Sequence, residues 1–125
     1  MISGIGTDLI YIERIDATWQ RFGERFLKRL LSENEYRQFE SRGRDVRYLA
    51  KRFAAKEAAA KALGVGIGAR ARLCEIEVLN NPLGKPELSF YGAAADTIRE
   101  QGIVGSHIAL TDESDLAQAF VVFER

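Results

Sequence analysis

Most of the chain reads as alternating or helically spaced hydrophobic positions. Ile2 to Ile10 is a short β-branched run with glycines at 4 and 6, and it predicts a strand. Glu13 to Phe22 and Glu24 to Leu31 predict two short helices. Ser32-Glu33-Asn34-Glu35 has the capping-box pattern, with Ser32 as N-cap and Glu35 at the third helical position, and opens a helix to about Glu40. The longest helical signal runs from about Asp45 to Leu63. Val46, Leu49, Phe53, Ala60 and Leu63 recur at helical spacing there, and the alanine-rich stretch 54–62 has high helix propensity. Gly64, Gly66 and Gly68 end it. Leu73 to Leu79 alternates Leu73, Glu75, Glu77 and Leu79 against Cys74, Ile76 and Val78, a strand pattern. The turn Asn81-Pro82-Leu83-Gly84 leads to a second strand, Pro86 to Tyr91. A helix follows over 92–101. Two last strands, 106–111 and 118–124, are joined by the acidic turn Asp112-Glu113-Ser114-Asp115. The elements predict a single α+β domain over 1–125, with helices concentrated early and the long helix packed on a mainly antiparallel sheet.

Composition sharpens this in a few places. The chain is 46% hydrophobic, with seven Phe, four Tyr and one Trp, enough to build a core. Cys74 is the only cysteine, so there is no intrachain disulfide and no disulfide-built scaffold. The opening MISGIGTDLIYIERI lacks a basic stretch before an apolar run, so no signal peptide is expected. No apolar stretch approaches the roughly 18 residues a membrane span needs, and a cytoplasmic protein is expected. The formal net charge is zero but unevenly placed: residues 21–72 carry 14 Lys/Arg against 6 Asp/Glu. A basic middle on a neutral chain suits a face for an anion. Nucleic acid, a phosphorylated cofactor and an acidic protein all fit that asymmetry.

Three charged residues bear on chemistry. Asp8 lies near the end of the first strand, where an aspartate also commonly caps a turn. Glu57 shares a helix face with Val46, Ala50, Phe53, Ala60 and Gly64, which is otherwise apolar or small. A carboxylate on an inward face must be paired, hydrogen-bonded or metal-bound. A structural ion pair with Arg52 or Lys61 and a metal role are equally consistent with that placement. Lys61 follows Glu57 by one turn, the spacing of an ordinary surface pair and also of a carboxylate for a metal beside an ammonium for a phosphate. Arg52 is a candidate for phosphate contact or for solvent, and Lys56 reads as a flanking surface charge. Gly64-Val65-Gly66-Ile67-Gly68 is no P-loop, since no GKS/T follows, and no dinucleotide-binding motif, since it follows a helix. His107, the only histidine, reads as a satisfied strand residue, and Cys74 as a small core residue. Trp19, Phe22 and Phe26 read as helix-face anchors, which would mark a partner surface if exposed.

Together these segments resemble a known family. Gly4-Ile5-Gly6-Thr7-Asp8 resembles the G-x-G-x-D opening of the small bacterial holo-acyl-carrier-protein synthases. Arg52-Phe53-Ala54-Ala55-Lys56-Glu57-Ala58-Ala59-Ala60-Lys61-Ala62 resembles their (W/F)-A-x-K-E-A-x-x-K-A helix, and Asn81-Pro82-Leu83-Gly84-Lys85-Pro86 their N-x-x-G-K-P turn. Phosphopantetheinyl transferases more broadly share the aspartate and the K-E-x-x-x-K core. The resemblance covers essentially the whole chain. It implies transfer of the 4′-phosphopantetheine arm of coenzyme A to a serine of acyl carrier protein, in support of fatty acid biosynthesis. It implies magnesium on Asp8 and Glu57, and Glu57 and Lys61 as catalytic groups. Arg52, Lys61, Gly64, Gly84, Lys85, Pro86 and Thr111 become coenzyme A contacts. Arg14 becomes a carrier-protein contact, with Arg21, Phe22, Arg25 and Lys28 as neighbouring candidates. A homotrimer with active sites at subunit boundaries is implied too. One departure stands out: the family's S-x-T-H-T histidine falls on Asp112 here, while Thr111 is kept. Three rival readings are a basic-faced nucleic-acid-binding module, a magnesium-dependent phosphohydrolase and a structural trimer with a buried Glu57–Lys61 pair.

Overall fold

A computed structural model describes residues 1–125. Strand β1 (Ile2–Tyr11) leads into α1 (Ile12–Phe22), α2 (Glu24–Leu30), α3 (Glu33–Ser41) and the long α4 (Val46–Leu63). After α4 come β2 (Ile76–Asn80), β3 (Pro86–Phe90), α5 (Gly92–Glu100), β4 (Gly105–Glu113) and β5 (Leu116–Glu124). The strands form two antiparallel sheets, one of order β1-β5-β4 and a β2-β3 hairpin whose β3 packs against β4. No helix is long and apolar enough to cross a membrane.

The two-residue period of the strands sorts the three-stranded sheet into two faces. Gly6, Ile10, Ala117, Ala119, Val121 and Phe123 are buried on one face, against α4. Ile5, Leu9 and Phe120 lie exposed on the other. Helix α4 meets the sheet with Ala54, Ala58 and Ala62, all buried, so its backbone comes very close to β1. Gly4 and Gly6 are what permit that approach. A Cβ at Gly4 would lie 2.1 Å from the carbonyl oxygen of Ala62, and one at Gly6 would lie 2.0 Å from that of Ala58. Asp45 caps α4 by accepting from the Arg47 N–H at 2.9 Å, and Gly64 ends it in the left-handed region at φ 76°.

The capping box is present as read: Ser32 Oγ accepts from the Glu35 N–H and Glu35 accepts from the Ser32 N–H. Two boundaries differ from the sequence reading. Leu73–Glu75 is a 3₁₀ turn rather than the start of β2, because the Glu75 carboxylate accepts from the backbone N–H groups of Arg72 and Ala93 and so turns inward on its neighbours. Strands β4 and β5 also run further than read. Asp112 and Glu113 continue the ladder opposite Ala117 and Leu116, which leaves Ser114 and Asp115 as the turn.

Candidate active site

Along β1, Gly4, Gly6 and Asp8 share the helix-facing side, so the residue that follows the two close-contact glycines is aimed at α4. Asp8 meets Lys61, whose ammonium donates to Asp8 Oδ1 at 2.9 Å and to the Thr7 carbonyl at 3.0 Å. Glu57 lies one helical turn before Lys61, half-buried, and forms no salt bridge. Burial first, and then the negative charge of Asp8, push the Glu57 carboxyl above the usual carboxylate range. The direct Glu57–Lys61 salt bridge of the structural reading is therefore absent: Lys61 bonds Asp8, and its charge only partly offsets burial and Asp8 at Glu57. No group of three or more His, Cys, Asp or Glu residues stands together in the protein. Two neighbouring carboxylates suit magnesium, which holds to one or two carboxylates and takes phosphate and water for the rest.

The other predicted contacts are spread over the molecule. Gly64 is exposed just beyond the Lys61 turn. Gly84 and Lys85 are exposed in the β2–β3 turn, where Asn81 Oδ1 accepts from the Leu83 and Lys85 N–H groups. Pro86 opens β3, and a cavity of about 480 Å³ separates Lys85, Pro86 and Glu87 from Ser106 and His107 of β4. Thr111 is exposed on the outward face of β4, opposite Gln118. The hairpin packs on β4, at the opposite edge of the sheet from β1, whereas Thr111 shares a depression with Leu9, the neighbour of Asp8. His107 is exposed, with Nε2 3.3 Å from Glu124 Oε2. Asp112, in the place of the family histidine, bonds Arg47 at 2.9 Å and Lys51 at 3.1 Å. The Lys51 hydrogen bond, with that from Arg47, holds its carboxyl below the usual range.

Two basic residues of α4 differ from their sequence reading. Arg52 is 2% exposed and does not present a free guanidinium to phosphate. Its Nε donates to the Val78 carbonyl at 3.1 Å and its Nη2 to Gln38 Oε1 and Asn80 Oδ1, and the group lies 4.2 Å over the Tyr48 ring. Lys56 is no surface charge: it is fully buried and bonded to Glu35 at 2.6 Å. Sequence periodicity missed both because α4 is buried on nearly every side, which leaves no polar stripe to mark them.

Helices α1 and α2 present the basic face. Arg14, Arg21, Phe22, Arg25 and Lys28 are all exposed. The Arg21 and Arg25 guanidinium groups lie 5.0 and 5.9 Å from the centroid of the Phe22 ring, an apolar group framed by cations. Phe22 and Arg25 line a groove of about 180 Å³ with Thr18, Phe26 and Arg29; the last was not singled out from the sequence. Lys28 instead lines a separate depression with Ser32, Tyr36 and Arg37. Trp19 is a core anchor, edge-on to Phe39 at 5.5 Å.

Comparison with known proteins gives a consistent answer. The sequence model of the 4′-phosphopantetheinyl transferase superfamily matches residues 4–117. A holo-[acyl-carrier-protein] synthase of Photorhabdus laumondii is 49% identical over 124 residues, 99% of this chain and 98% of that one. The crystal structure of the Neisseria meningitidis holo-[acyl-carrier-protein] synthase superposes with a TM-score of 0.94 at 43% identity, covering all of both chains. That of the Helicobacter pylori synthase in complex with coenzyme A superposes with a TM-score of 0.86 at 29% identity, covering 96% of this chain and 99% of that one. The chain belongs to the 4′-phosphopantetheinyl transferase superfamily.

Proposed function

We propose that this protein, as one transferase domain over residues 1–125, moves the 4′-phosphopantetheine group of coenzyme A to a serine of apo acyl carrier protein. The products are holo acyl carrier protein and adenosine 3′,5′-bisphosphate, and the role is in cytoplasmic fatty acid biosynthesis. The observation that carries the reading is the convergence of Asp8, Glu57 and Lys61, set by the close approach of β1 to α4 at Gly4 and Gly6. The synthase names of the relatives and the coenzyme A complex of one of them support it.

Asp8 and Glu57 would hold magnesium, which supplies charge neutralisation on the pyrophosphate when bound. Lys61 is half exposed beside them, so its ammonium can turn from Asp8 to a phosphate oxygen and take up charge on the leaving side. The serine oxygen bonds to the β-phosphorus, the bond to the adenosine bisphosphate oxygen breaks, and the serine proton is released. Little covalent work falls to the protein, whose task is positioning and charge. Gly64, Gly84, Lys85, Pro86 and Thr111 form the remaining coenzyme A contacts. Arg14, Arg21, Phe22 and Arg25 receive the acidic carrier, with Lys28 at the margin, where complementary charge speeds encounter and sets orientation.

The assembly we propose is a homotrimer. The family resemblance implies it, and the placement of the carboxylates at β1 and of the Lys85 hairpin beyond β4, at opposite edges of the sheet, suits a coenzyme A site completed by a neighbouring copy. Intact-mass spectrometry of apo acyl carrier protein, incubated with this protein, coenzyme A and magnesium, tests the reaction. One added phosphopantetheine, lost with a chelator, is expected. Release of adenosine bisphosphate without modified carrier would replace the transferase reading with a phosphohydrolase.

A further inference from the structure

Behind the proposed metal site, α4 carries a second set of charges that the reaction does not use. Lys56 immediately precedes Glu57, and on a helix adjacent side chains point about 100° apart. Glu57 looks toward β1, while Lys56 points to another side of the helix, toward α3 and β2, where it and Glu35 are both fully buried. The Lys56 ammonium donates to Glu35 Oε1 at 2.6 Å and to the Leu73 carbonyl at 2.8 Å. Glu35 Oε1 also accepts from the Ser32 N–H at 2.9 Å, and Glu35 Oε2 from the Val78 N–H at 2.8 Å. One turn earlier on the same side, Arg52 donates to the carbonyl of that same Val78. Two successive turns of α4 are thus tied through directional bonds to α3, to the Leu73 turn and to Val78 and Asn80 of β2.

The face of α4 turned to the sheet is different in kind. Between the Arg47 and Lys51 bonds to Asp112 near its start and the Lys61 bond to Asp8 near its end, the middle of that face is Ala54, Ala58 and Ala62, buried and offering only small contacts. Such a face permits close approach but sets rotation and register weakly, since interlocking side chains are what define a helix setting. A buried ion pair has its best-attested use in fixing register.

We infer that Glu35 and Lys56 are positioning residues for the reaction: their buried pair fixes the rotation of α4, so that Glu57 and Lys61 meet Asp8. The inference rests on the proposed role of Asp8 and Glu57 as metal ligands. Its test is the double variant Glu35→Gln with Lys56→Met, which removes both charges and leaves neither orphaned, while the glutamine amide oxygen can still accept from Val78. Three quantities are read: the melting temperature, the affinity for manganese in the presence of coenzyme A by electron paramagnetic resonance, and kcat and KM for apo acyl carrier protein. The double variant is expected to melt cooperatively, to bind manganese about tenfold more weakly and to lose about tenfold in kcat, the range seen when groups supporting a metal ligand are changed. KM for the carrier stays unchanged, because the basic face of α1 and α2 lies elsewhere. Native manganese affinity and kcat in a folded double variant would overturn the positioning role alone. If that variant does not fold, Glu35→Asp keeps the charges and shortens the link. A smaller loss in the same two quantities is then expected, and no loss overturns the inference. Failure of the unaltered protein to bind manganese would instead sink the metal reading, and this inference with it.

Discussion

Glu57 forms no salt bridge in the folded chain, and nearby Lys61 only partly offsets its charge. Its neighbour Lys61 bonds Asp8, and both burial and the Asp8 charge raise the Glu57 proton affinity. A carboxyl whose folded pKa lies above its unfolded value has a definite sign in stability. Below the unfolded pKa both states are protonated and there is no effect; above the folded pKa the ionised group disfavours the fold. Glu57→Gln is therefore expected to raise the melting temperature of the metal-free protein at pH 7, with the gain fading as pH falls through the folded pKa. The same change is expected to lower transfer by about 10² or more, because it removes charge stabilisation at the reacting phosphate. Scanning calorimetry in chelator at pH 7 and at pH 4, beside a transfer assay, checks both halves. A variant that melts below the unaltered protein at pH 7 would show that Glu57 has a stabilising partner. Stability given up at such a residue is the pattern expected of a site built for a ligand.

At the scale of elements, the site depends on how closely β1 lies on α4. Gly6→Ala would put a methyl carbon 2.0 Å from the Ala58 carbonyl oxygen, and the obstacle is helix backbone that cannot swing aside. Overpacking of this kind costs about 1–3 kcal/mol. Asp8 follows on the same face of the strand, so a displaced β1 carries it away from Glu57. The variant is expected to lose transfer activity well beyond its loss of stability at a temperature where it is still folded. Activity that merely tracks the folded fraction would contradict this. Much of the arrangement was legible in the sequence. The glycines and aspartate at period two, the Ser32–Glu35 capping box and the helix ended by Gly64 are local patterns, each with a local physical cause. What stayed hidden depends on contacts distant along the chain. Lys56 finds Glu35 21 residues away, and Arg52 finds Val78 26 residues away. Spacing within one helix contains neither partner. The Leu73 end of the β2 pattern failed similarly, because Glu75 turns to the backbone of α5 rather than extending a ladder.

At the scale of the whole molecule, the outer face of the three-stranded sheet remains uncovered. Ile5 is 61% exposed, Leu9 60% and Phe120 46%, and Thr7 stands opposite Phe120 in the register. A contiguous apolar face of this kind on a folded chain marks an interaction surface. The distribution of the proposed site suggests the symmetry of the contact. The carboxylates sit near β1 and the Lys85 hairpin beyond β4, so the proposed shared site would join unlike surfaces of two copies. Contacts between unlike surfaces generate closed rings when the rotation closes, whereas a two-fold dimer joins like to like. The proposed homotrimer is such a ring of three. Phe120→Glu places a charge in the middle of this face while leaving the side chains toward α4 untouched, so the monomer fold is expected to survive. Size-exclusion chromatography with light scattering is expected to give three times the 14.0 kDa chain mass for the unaltered protein and the single-chain mass for the variant. If the site is shared, the monomeric variant also loses transfer, and mixing it with a Glu57→Gln chain does not restore it, because neither copy can then assemble a full set of groups. An unaltered protein that is both monomeric and active would reject the shared site and require one chain to carry coenzyme A from Asp8 to Lys85 alone.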